Sequence, residues 1–487
     1  MLSILVCHSY FLRFDHKQRE RAKPYPPLAT LQVAGMLRQA GHAVALFDAM
    51  LAQSTQEFAH RLQSVRPQLV VFYEDNYNFL SKMCLGKMRS AASDMIAEAR
   101  RGSVLVIASG SDASDAPEPY LRAGADAVLI GEGLSALLAL VARIDARPHA
   151  VRAELTAGMP GIARLAANEV QIARGAALLR NLPHAGFPAW DLIDVERYRA
   201  VWQAAHGFFS LNMAASRGCS FRCNWCAKPI WGNQYLQRDA AEVAAEMGYL
   251  RRTFAPDHIW FADDIFGFRV DWVRDFARAA RTEGGAVPFT IQTRADLLSV
   301  RMAEALAEAG CREAWIGAES GSQRVLDAMN KGIRVAEVIE GRARLKAVGI
   351  RVGFFIQLGY IGEQLEDILA TRALIAAARP DDVGVSVAYP LPGTKFYELV
   401  KAQLGAQTHW NESNDLAMMF RGTYTSDFYR RVRDLLHRQV DAARPGELER
   451  RWRALLAREA QFRNQPDSRG RTLGSVQVGL SPAVVEG

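Results

Sequence analysis

The sequence predicts an α/β protein with an N-terminal doubly wound parallel sheet, a partial (β/α)6 barrel and a helical C-terminal region. Two series of short apolar, β-rich runs predict the two sheets, because amphipathic segments of helical length separate the runs in each series. A third observation predicts the C-terminal region: beyond residue 400 the β-rich runs stop and only helical periodicity continues.

The first series occupies residues 1–145, the expected N-terminal domain, and its runs are at 3–7, 43–48, 69–73, 104–108 and 126–130. The runs are apolar throughout, which favours parallel strands that are buried on both faces. In such sheets a ligand binds beyond the carboxyl ends of the strands. The loops expected there contain small residues that let a ligand approach the backbone. We therefore take as candidate binding residues Ser109, Gly110, Ser111, Gly131, Glu132 and Gly133.

The rest of the chain divides into four predicted segments. Residues 146–205 contain four prolines and are predicted to be a linker with some extended structure. Residues 206–400 contain six βα units, too few for the closed barrel of eight and therefore typical of a partial one. Residues 401–464 have the periodicity of amphipathic helices, and the polar residues 465–487 predict a disordered tail.

Composition limits the class of protein. Hydrophobic residues make up 49% of the chain and charged residues 23%, as in an ordinary soluble protein. The longest apolar runs fall short of the roughly 18 residues that a membrane-spanning helix needs. The N-terminus lacks the pattern of a signal peptide. The six cysteines are too few for a disulfide scaffold in so long a chain. We therefore expect a cytoplasmic protein without a transmembrane segment.

The net charge of +7 is concentrated near the C-terminus. Residues 430–471 contain twelve arginines and six Asp or Glu residues. A nucleic-acid-binding protein would be more uniformly basic, so we expect no nucleic-acid partner. The segment is either a solvated helical face or a docking surface for an acidic partner.

Three cysteines within eight residues form the most specific motif in the chain. Cys219, Cys223 and Cys226 follow the first barrel run in the pattern C-x3-C-x2-C. Thiolates are the usual ligands of iron–sulfur clusters, and three of them leave the fourth iron of a 4Fe-4S cluster without a protein ligand. A structural zinc site requires four ligands, and His184 and His206 are too distant in sequence to complete one locally. The spacing therefore favours a cluster over zinc.

This motif, with a strand before it and Trp225 just before the third cysteine, resembles the radical S-adenosylmethionine (SAM) superfamily. The resemblance implies that SAM binds the open iron. It also implies that one electron from the cluster cleaves SAM to methionine and a 5′-deoxyadenosyl radical, which abstracts hydrogen from the substrate. Trp225 would then lie against the adenine.

The same resemblance assigns further SAM contacts at successive strand ends. Asp263 and Asp264, in FADDIFG, would receive the amino group, and Arg294, in IQTRAD, would bind the carboxylate. Glu319, in GAESGS, would accept hydrogen bonds from the ribose or the amine, and Gly359, in GYIGE, would lie beside the adenine. Any one of these residues is weak support, because a strand-end carboxylate often caps a helix. Their order along the chain carries more weight.

Residues 1–400 resemble the cobalamin-binding-domain radical SAM proteins, a class that includes the anaerobic magnesium-protoporphyrin IX monomethyl ester cyclase. YPPLATLQVAGMLRQAGHAV and GADAVLIGEG carry the resemblance in the first domain, and HIWFADDIFG and AYPLPGTKFYE carry it in the barrel. The resemblance implies cobalamin in a cleft lined by residues 73–78 and 109–114. The D-x-H-x-x-G motif that supplies a histidine ligand is absent, since Asp15 and His16 are adjacent and no glycine follows. We therefore do not expect His16 to bind cobalt.

Together these features predict a radical SAM enzyme, cobalamin-dependent, that methylates an unactivated carbon or performs an oxidative cyclisation or rearrangement. Two alternatives remain open: a radical SAM enzyme without bound cobalamin, and a non-catalytic iron–sulfur or metal sensor. A tRNA methylthiotransferase is disfavoured, because no second three-cysteine motif lies upstream and no basic RNA-binding module follows. A tetrapyrrole, a hopanoid-type lipid and a peptide or natural product all remain possible substrates. An acidic flavodoxin or ferredoxin that docks on the basic C-terminal helices would supply the electrons.

Overall fold

A computed structural model describes residues 1–78, 86–175, 187–226, 230, 232–404, 416–441 and 445–464. The predicted tail at 465–487 lies outside the described residues. Within this part of the chain every helix is too short or too polar to cross a lipid bilayer.

The N-terminal domain contains a seven-stranded sheet with the strand order β2-β1-β3-β4-β5-β6-β7. The first five strands pair in parallel and β6 and β7 are antiparallel, so the predicted doubly wound sheet is confirmed. The strands are β1 Ser3–Cys7, β2 Ala43–Phe47, β3 Leu69–Tyr73, β4 Leu105–Ser109, β5 Ala127–Leu129, β6 Ile162–Ala166 and β7 Glu169–Ala173. The helices are α1 His16–Arg21, α2 Leu28–Gln39, α3 Gln56–Val65, α4 Gly86–Arg101, α5 Ser111–Asp115, α6 Pro117–Ala123, α7 Leu134–Ala146 and α8 Arg152–Thr156.

The hairpin of β6 and β7 corrects the predicted linker, because it extends the first sheet instead of connecting two domains. Its turn residues Ala167 and Asn168 have φ values of +49° and +65°. Two left-handed residues in succession match the twist of a hairpin, but Asn-Gly is the usual sequence for such a turn. An alanine in the first position gives no turn signal, so the hairpin was not predicted.

The second domain begins after helix α9 (Val195–His206) and contains a six-stranded parallel sheet with the order β15-β14-β13-β12-β11-β8. This arrangement confirms the predicted partial barrel. The strands are β8 Ser210–Met213, β9 Ser216–Gly218, β10 Tyr235–Gln237, β11 His258–Phe261, β12 Phe289–Thr293, β13 Cys311–Glu319, β14 Arg351–Leu358 and β15 Asp382–Val387, of which β9 and β10 form a separate antiparallel pair. The helices are α10 Ala240–Phe254, α11 Val270–Thr282, α12 Val300–Ala309, α13 Gln323–Ala328, α14 Val335–Ala347, α15 Leu365–Ala378 and α16 Lys395–Val400.

The C-terminal region is helical, as predicted, and packs against one edge of the barrel. Helix α17 (Ser426–Asp441) contacts β15 and α15, and α18 (Pro445–Leu456) packs against α17. The indole ring of Trp452 is fully buried and the guanidinium of Arg372 lies 4.8 Å from its centroid. Arg372 also forms an ion pair of 2.5 Å with Glu449, which fixes α18 to the barrel.

Candidate functional site

The cysteine loop leaves the end of β9 and is fixed to the barrel before it turns. Cys219 is buried, and Cys223 and Cys226 are half-buried; none of the three forms a disulfide. The backbone N–H of Asn224 donates to Met329 O at 2.8 Å and its side-chain amide donates to Ala328 O at 2.9 Å. These bonds hold the loop against the segment that follows α13.

The structure does not bring the three thiols to one common metal position. In the described ranges no three His, Cys, Asp or Glu side chains converge on a single ion. A cubane cluster does not require such convergence, because each thiolate binds a different iron. The loop therefore has the donors for a cluster and lacks those for a closed zinc site.

Arg294 directly follows the end of β12, as predicted, and lies beside the cysteine loop. Its Nη1 is 3.8 Å from the Sγ of Cys223, and its guanidinium stacks 3.6 Å from the centroid of the Phe221 ring. The guanidinium also pairs with Asp296 at 2.9 Å and donates to the carbonyl oxygen of Lys331 at 2.8 Å. Most of its donors are thus occupied by protein groups, and its contact with the SAM carboxylate stays a prediction.

Glu319 and Lys331 form a buried ion pair of 2.6 Å at the end of β13. Glu319 has a φ of +59°, a conformation that is costly for a residue with a side chain and is typical of functional sites. The Nζ of Lys331 is 6.0 Å from the centroid of the Trp225 ring. Sequence reasoning found Glu319 and Trp225 but missed Lys331, because nothing local marks a lysine after a short helix as buried.

Asp263 binds the segment of the chain that leads into the cysteine loop. It is fully buried, and its two carboxylate oxygens accept hydrogen bonds from the backbone N–H of Ala215 and from the hydroxyl of Ser216. Burial raises the pKa of Asp263 to about 7. Since both oxygens already have protein donors, the structure gives Asp263 a role in holding the strand before Cys219. Asp264, which is half-buried, remains the predicted partner of the SAM amino group.

Gly359 lies under the C-terminal region. It has a φ of +75° and its N–H donates to the Oε2 of Glu363 at 2.6 Å. A Cβ at this position would lie 2.9 Å from the Sδ of Met418, so a larger residue would clash. Thr423 donates through Oγ1 to the carbonyl oxygen of Glu363 at 2.5 Å. The C-terminal region therefore closes over the predicted adenine side of the site.

The carboxyl edge of the first sheet contains buried polar atoms without protein partners. Among the described residues, the Oγ atoms of Ser109 and Ser111 and both side-chain polar atoms of Asn76 have no hydrogen-bond partner. Buried polar groups are nearly always paired, so unpaired ones at a sheet edge indicate a ligand. Gly110 approaches Glu74 so closely that a Cβ would lie 2.8 Å from its Cγ. The predicted residues 109–111 are thus brought together at this edge.

Further buried titratable side chains surround this edge. Glu74 and Asp75 belong to the predicted cleft loop 73–78, whereas Asp48 and Tyr198 were not singled out by the sequence. The Nε2 of His8 is 2.9 Å from Asp48, to which Tyr198 donates at 2.7 Å. Burial raises the pKa of Glu74 and of Asp75. These residues are scattered in sequence, so only the fold brings them together.

By contrast, His16 lies on the exposed surface of α1. Its Nδ1 is 3.6 Å from Glu20. The expectation that His16 does not bind cobalt stays a prediction.

The two domains meet through a buried ion pair between Glu132 and Arg217. Glu132 belongs to the predicted loop Gly131–Gly133, and Arg217 is on β9, two residues before Cys219. Tyr73 also donates its hydroxyl to the carbonyl oxygen of Glu132 at 2.7 Å. The carboxylate of Glu132 therefore joins the domains.

Glycine is required at the last position of this loop. Gly133 has a φ of +70°, and a Cβ there would lie 2.5 Å from the Cβ of Leu129. Gly131, with a φ of +73°, approaches the carbonyl oxygen of Ile230 in the second domain. The backbone of this loop thus follows the surface of the barrel domain closely.

Comparisons with known proteins agree with this geometry. Residues 213–375 match the family model of the radical SAM superfamily, and residues 19–141 match that of the B12 binding domain. The chain is 25% identical over 378 residues to an uncharacterized methyltransferase of Pyrococcus horikoshii, over 77% of this chain and 78% of that protein. It is 24% identical over 397 residues to the anaerobic magnesium-protoporphyrin IX monomethyl ester cyclase of Cereibacter sphaeroides, over 79% and 62% of the two chains.

The fold is also similar to that of a solved structure. This is the radical SAM methyltransferase TsrM from Kitasatospora setae with cobalamin and a [4Fe-4S] cluster bound. The TM-score is 0.67 at 18% identity, and the match covers 84% of this chain and 76% of that chain. At this identity the likeness concerns the fold of both domains together.

Replacing Arg217 by glutamine is expected to destabilise the protein strongly. The substitution leaves the carboxylate of Glu132 buried without a cation, which typically costs about 3–5 kcal/mol. Chemical denaturation measures the free energy of unfolding. The matched control is Arg122→Gln, which breaks an exposed pair with Glu118 and is expected to cost less than about 1 kcal/mol. Equal losses in the two variants would contradict the structural role of the buried pair.

The titration of Glu363 is expected to make the protein less stable as the pH rises. Burial raises its pKa from 4.5 to about 8, so the folded state favours the protonated carboxyl. The stabilisation is complete below the pKa of the unfolded chain and is lost as the pH rises through the folded pKa. Glu363→Gln should flatten the fall in unfolding free energy between about pH 5 and 8, by at most about 1.4 kcal/mol per pH unit. Parallel slopes in variant and parent would show that Glu363 ionises without cost.

Proposed function

We propose that this chain, whose residues 213–375 match the radical SAM superfamily and residues 19–141 the B12 binding domain, is an enzyme that transfers a methyl group to an unactivated carbon of a small molecule. The observation that carries this proposal is the buried contact of Glu132 with Arg217. It places the carboxyl edge of the first sheet against the strand that leads to Cys219. Methyl transfer with two cofactors requires both of them to reach one substrate. The junction of the two domains would bring the two cofactor sites close enough for this.

The residues present fit the implied cofactors. Three thiols on one loop, none of them in a disulfide, are the donor set of a 4Fe-4S cluster. Beside them the Nε1 of Trp225 and the Oδ1 of Asn224 are buried without a hydrogen-bond partner among the described residues and are available to SAM. At the first sheet the unpaired atoms of Ser109 and Asn76 suit a corrinoid, whose rim carries many amide groups. Leaving such groups unpaired costs about 1–3 kcal/mol each, which ligand binding would recover.

In the proposed site the cluster is held by Cys219, Cys223 and Cys226, and the SAM contacts are Trp225, Asp264, Arg294, Glu319 and Gly359. When bound, the cluster supplies the electron that cleaves SAM, and the corrinoid supplies a carrier for a methyl group. The protein contributes positioning and shielding. The loop bonds of Asn224 orient the thiols, and the contact of Met418 with Gly359 excludes water from the adenine side.

A second candidate is oxidative cyclisation, which is favoured by the similarity to the cyclase over 79% of this chain. The two reactions differ in the fate of the SAM methyl group. A methyltransferase would consume one SAM as methyl donor and another as radical source. A cyclase would leave the methyl group on methionine and remove hydrogen from the substrate.

The test uses anaerobically reconstituted protein with iron, sulfide and hydroxocobalamin. It is incubated with methyl-deuterated SAM, a reductant and host-cell extract, and products are identified by mass spectrometry. A product that gains one labelled methyl group is expected. An unlabelled product that has lost two hydrogens would favour the cyclase. Absence of any SAM consumption would favour the sensor, and lack of retained corrinoid would favour the enzyme without cobalamin.

Replacing Cys223 by alanine is expected to abolish both the cubane EPR signal of the reduced protein and the consumption of SAM, because one iron loses its ligand. Cys311→Ala is the matched control. Cys311 is buried at the start of β13, the opposite end of that strand from Glu319, and its loss should leave the signal in place. SAM consumption that persists in Cys223→Ala would refute the assignment of the motif.

We further propose that an acidic flavodoxin or ferredoxin reduces the cluster after docking on α17 and α18. Arg438 and Arg450 are exposed on these helices. The reducing conditions that such a cluster requires support a cytoplasmic location.

Reduction by a flavodoxin is expected to slow as the ionic strength rises. The screening length falls from about 30 Å at 0.01 M salt to about 8 Å at 0.15 M, which weakens electrostatic steering. Stopped-flow absorbance measures the rate, and Arg438→Glu with Arg450→Glu should reduce it at low salt. Reduction by dithionite is the control for the intactness of the variant. A flavodoxin rate independent of salt and of both substitutions would exclude this surface.

A further inference from the structure

The two faces of the barrel sheet differ in chemistry. On the face covered by helices the side chains are apolar, and Phe261, Ile316 and Phe354 are fully buried. Because side chains alternate along a strand, the strand register assigns a second set to the opposite face, here called the lumen face. It includes Ser210 and Asn212 on β8, His258 on β11, Trp315 on β13, and Phe355 and Gln357 on β14.

The amino-terminal part of the lumen face is closed by a chain of hydrogen bonds. His258 lies 2.8 Å from the hydroxyl of Ser210 and 2.8 Å from that of Thr290, and Thr290 donates to Glu313 at 3.4 Å. Burial lowers the pKa of His258 to about 4, so the imidazole is neutral at pH 7. Tyr25 of the first domain lies 3.0 Å from the hydroxyl of Ser210. These polar groups are thus already paired.

Further along the strands the lumen face presents two stacked aromatic rings. The centroids of Trp315 and Phe355 are 4.9 Å apart and their planes differ by 28°. A Cβ at Gly353 would lie 2.5 Å from the Trp315 ring, and one at Gly384 would lie 3.3 Å from both rings. The two glycines therefore let the rings lie flat on the sheet. Both rings are half-buried and neither belongs to a hydrophobic core of the described residues.

Within the part of the chain that the structure describes, two buried acceptors on the same face have no partner. Gln357 is two residues beyond Phe355 on β14, only 3% exposed, and its Oε1 accepts no hydrogen bond within the described structure. Asn212, also 3% exposed, donates through Nδ2 to the carbonyl oxygen of Pro26 at 2.9 Å. That bond fixes the orientation of the amide and leaves Oδ1 unpaired. A ligand with a donor group would satisfy such atoms.

We propose that the lumen face binds the planar, unsaturated ring system of a substrate that carries an N–H or O–H donor. The ring stacks on Trp315 and Phe355, and the donor bonds to the Oε1 of Gln357 or the Oδ1 of Asn212. This inference rests on the proposed function, because it names the substrate class of that site. It disfavours a saturated lipid, whose rings cannot stack and whose skeleton offers no donor at this depth.

The experiment uses reconstituted protein with SAM and three matched probes. 2-Naphthol has a planar ring and a donor, 2-methoxynaphthalene lacks the donor, and decahydro-2-naphthol lacks the planar ring. Calorimetry or equilibrium dialysis gives the dissociation constants. We expect 2-naphthol to bind about 3- to 10-fold more tightly than either of the others, as one stacking contact and one hydrogen bond require. Equal binding of the three probes, or binding of none, would overturn the proposal.

Substitutions on the lumen face identify which side chains contact the probe. Trp315→Leu should remove the preference over the saturated probe, and Trp315→Phe should retain it because a ring remains. Gln357→Leu should remove the preference over the methoxy probe while SAM affinity stays unchanged; loss of SAM affinity would assign Gln357 to the cofactor instead. If Trp315→Leu does not fold, Phe355→Leu takes its place. Labelled-SAM consumption is measured separately, so a protein that keeps the probe preference without methyl transfer refutes only the proposed function.

Discussion

The buried ion pair between Glu132 and Arg217 is the contact on which the arrangement of the site depends. Two charges removed from water must compensate each other, so neither domain can move away from the other without exposing an unpaired charge. Arg217 is part of β9, and β9 leads directly into Cys219. The first domain therefore takes part in setting the position of the cysteine loop, although all three cysteines belong to the second domain.

Sequence reasoning located both sheets because short β-rich runs alternate with amphipathic segments of helical length. Strand β3, predicted and found at residues 69–73, is an example. The cysteine motif was equally visible, since its ligands are adjacent in the chain. The hairpin of β6 and β7 was missed because Ala167 gives no turn signal, and Lys331 was missed because its partner Glu319 is fixed by the fold.

For the predicted site residues, the local sequence pattern does not distinguish a ligand contact from a structural role. A carboxylate at the end of a parallel strand can face a ligand or support the backbone, and the sequence is the same in both cases. Asp263 is buried between the backbone of Ala215 and the hydroxyl of Ser216. Glu132, expected in a binding cleft, pairs with an arginine 85 positions away in the other domain. Only the three-dimensional neighbours distinguish these roles.

The short segment from Pro24 to Pro26 belongs to the first domain and packs against the first strand of the barrel. Trp202 donates to the carbonyl oxygen of Pro24, Tyr25 contacts Ser210, and Asn212 donates to the carbonyl oxygen of Pro26. A piece of the first domain thus serves as one wall of the barrel. Exchange of either domain for a distant counterpart would therefore remove these hydrogen bonds together with that wall.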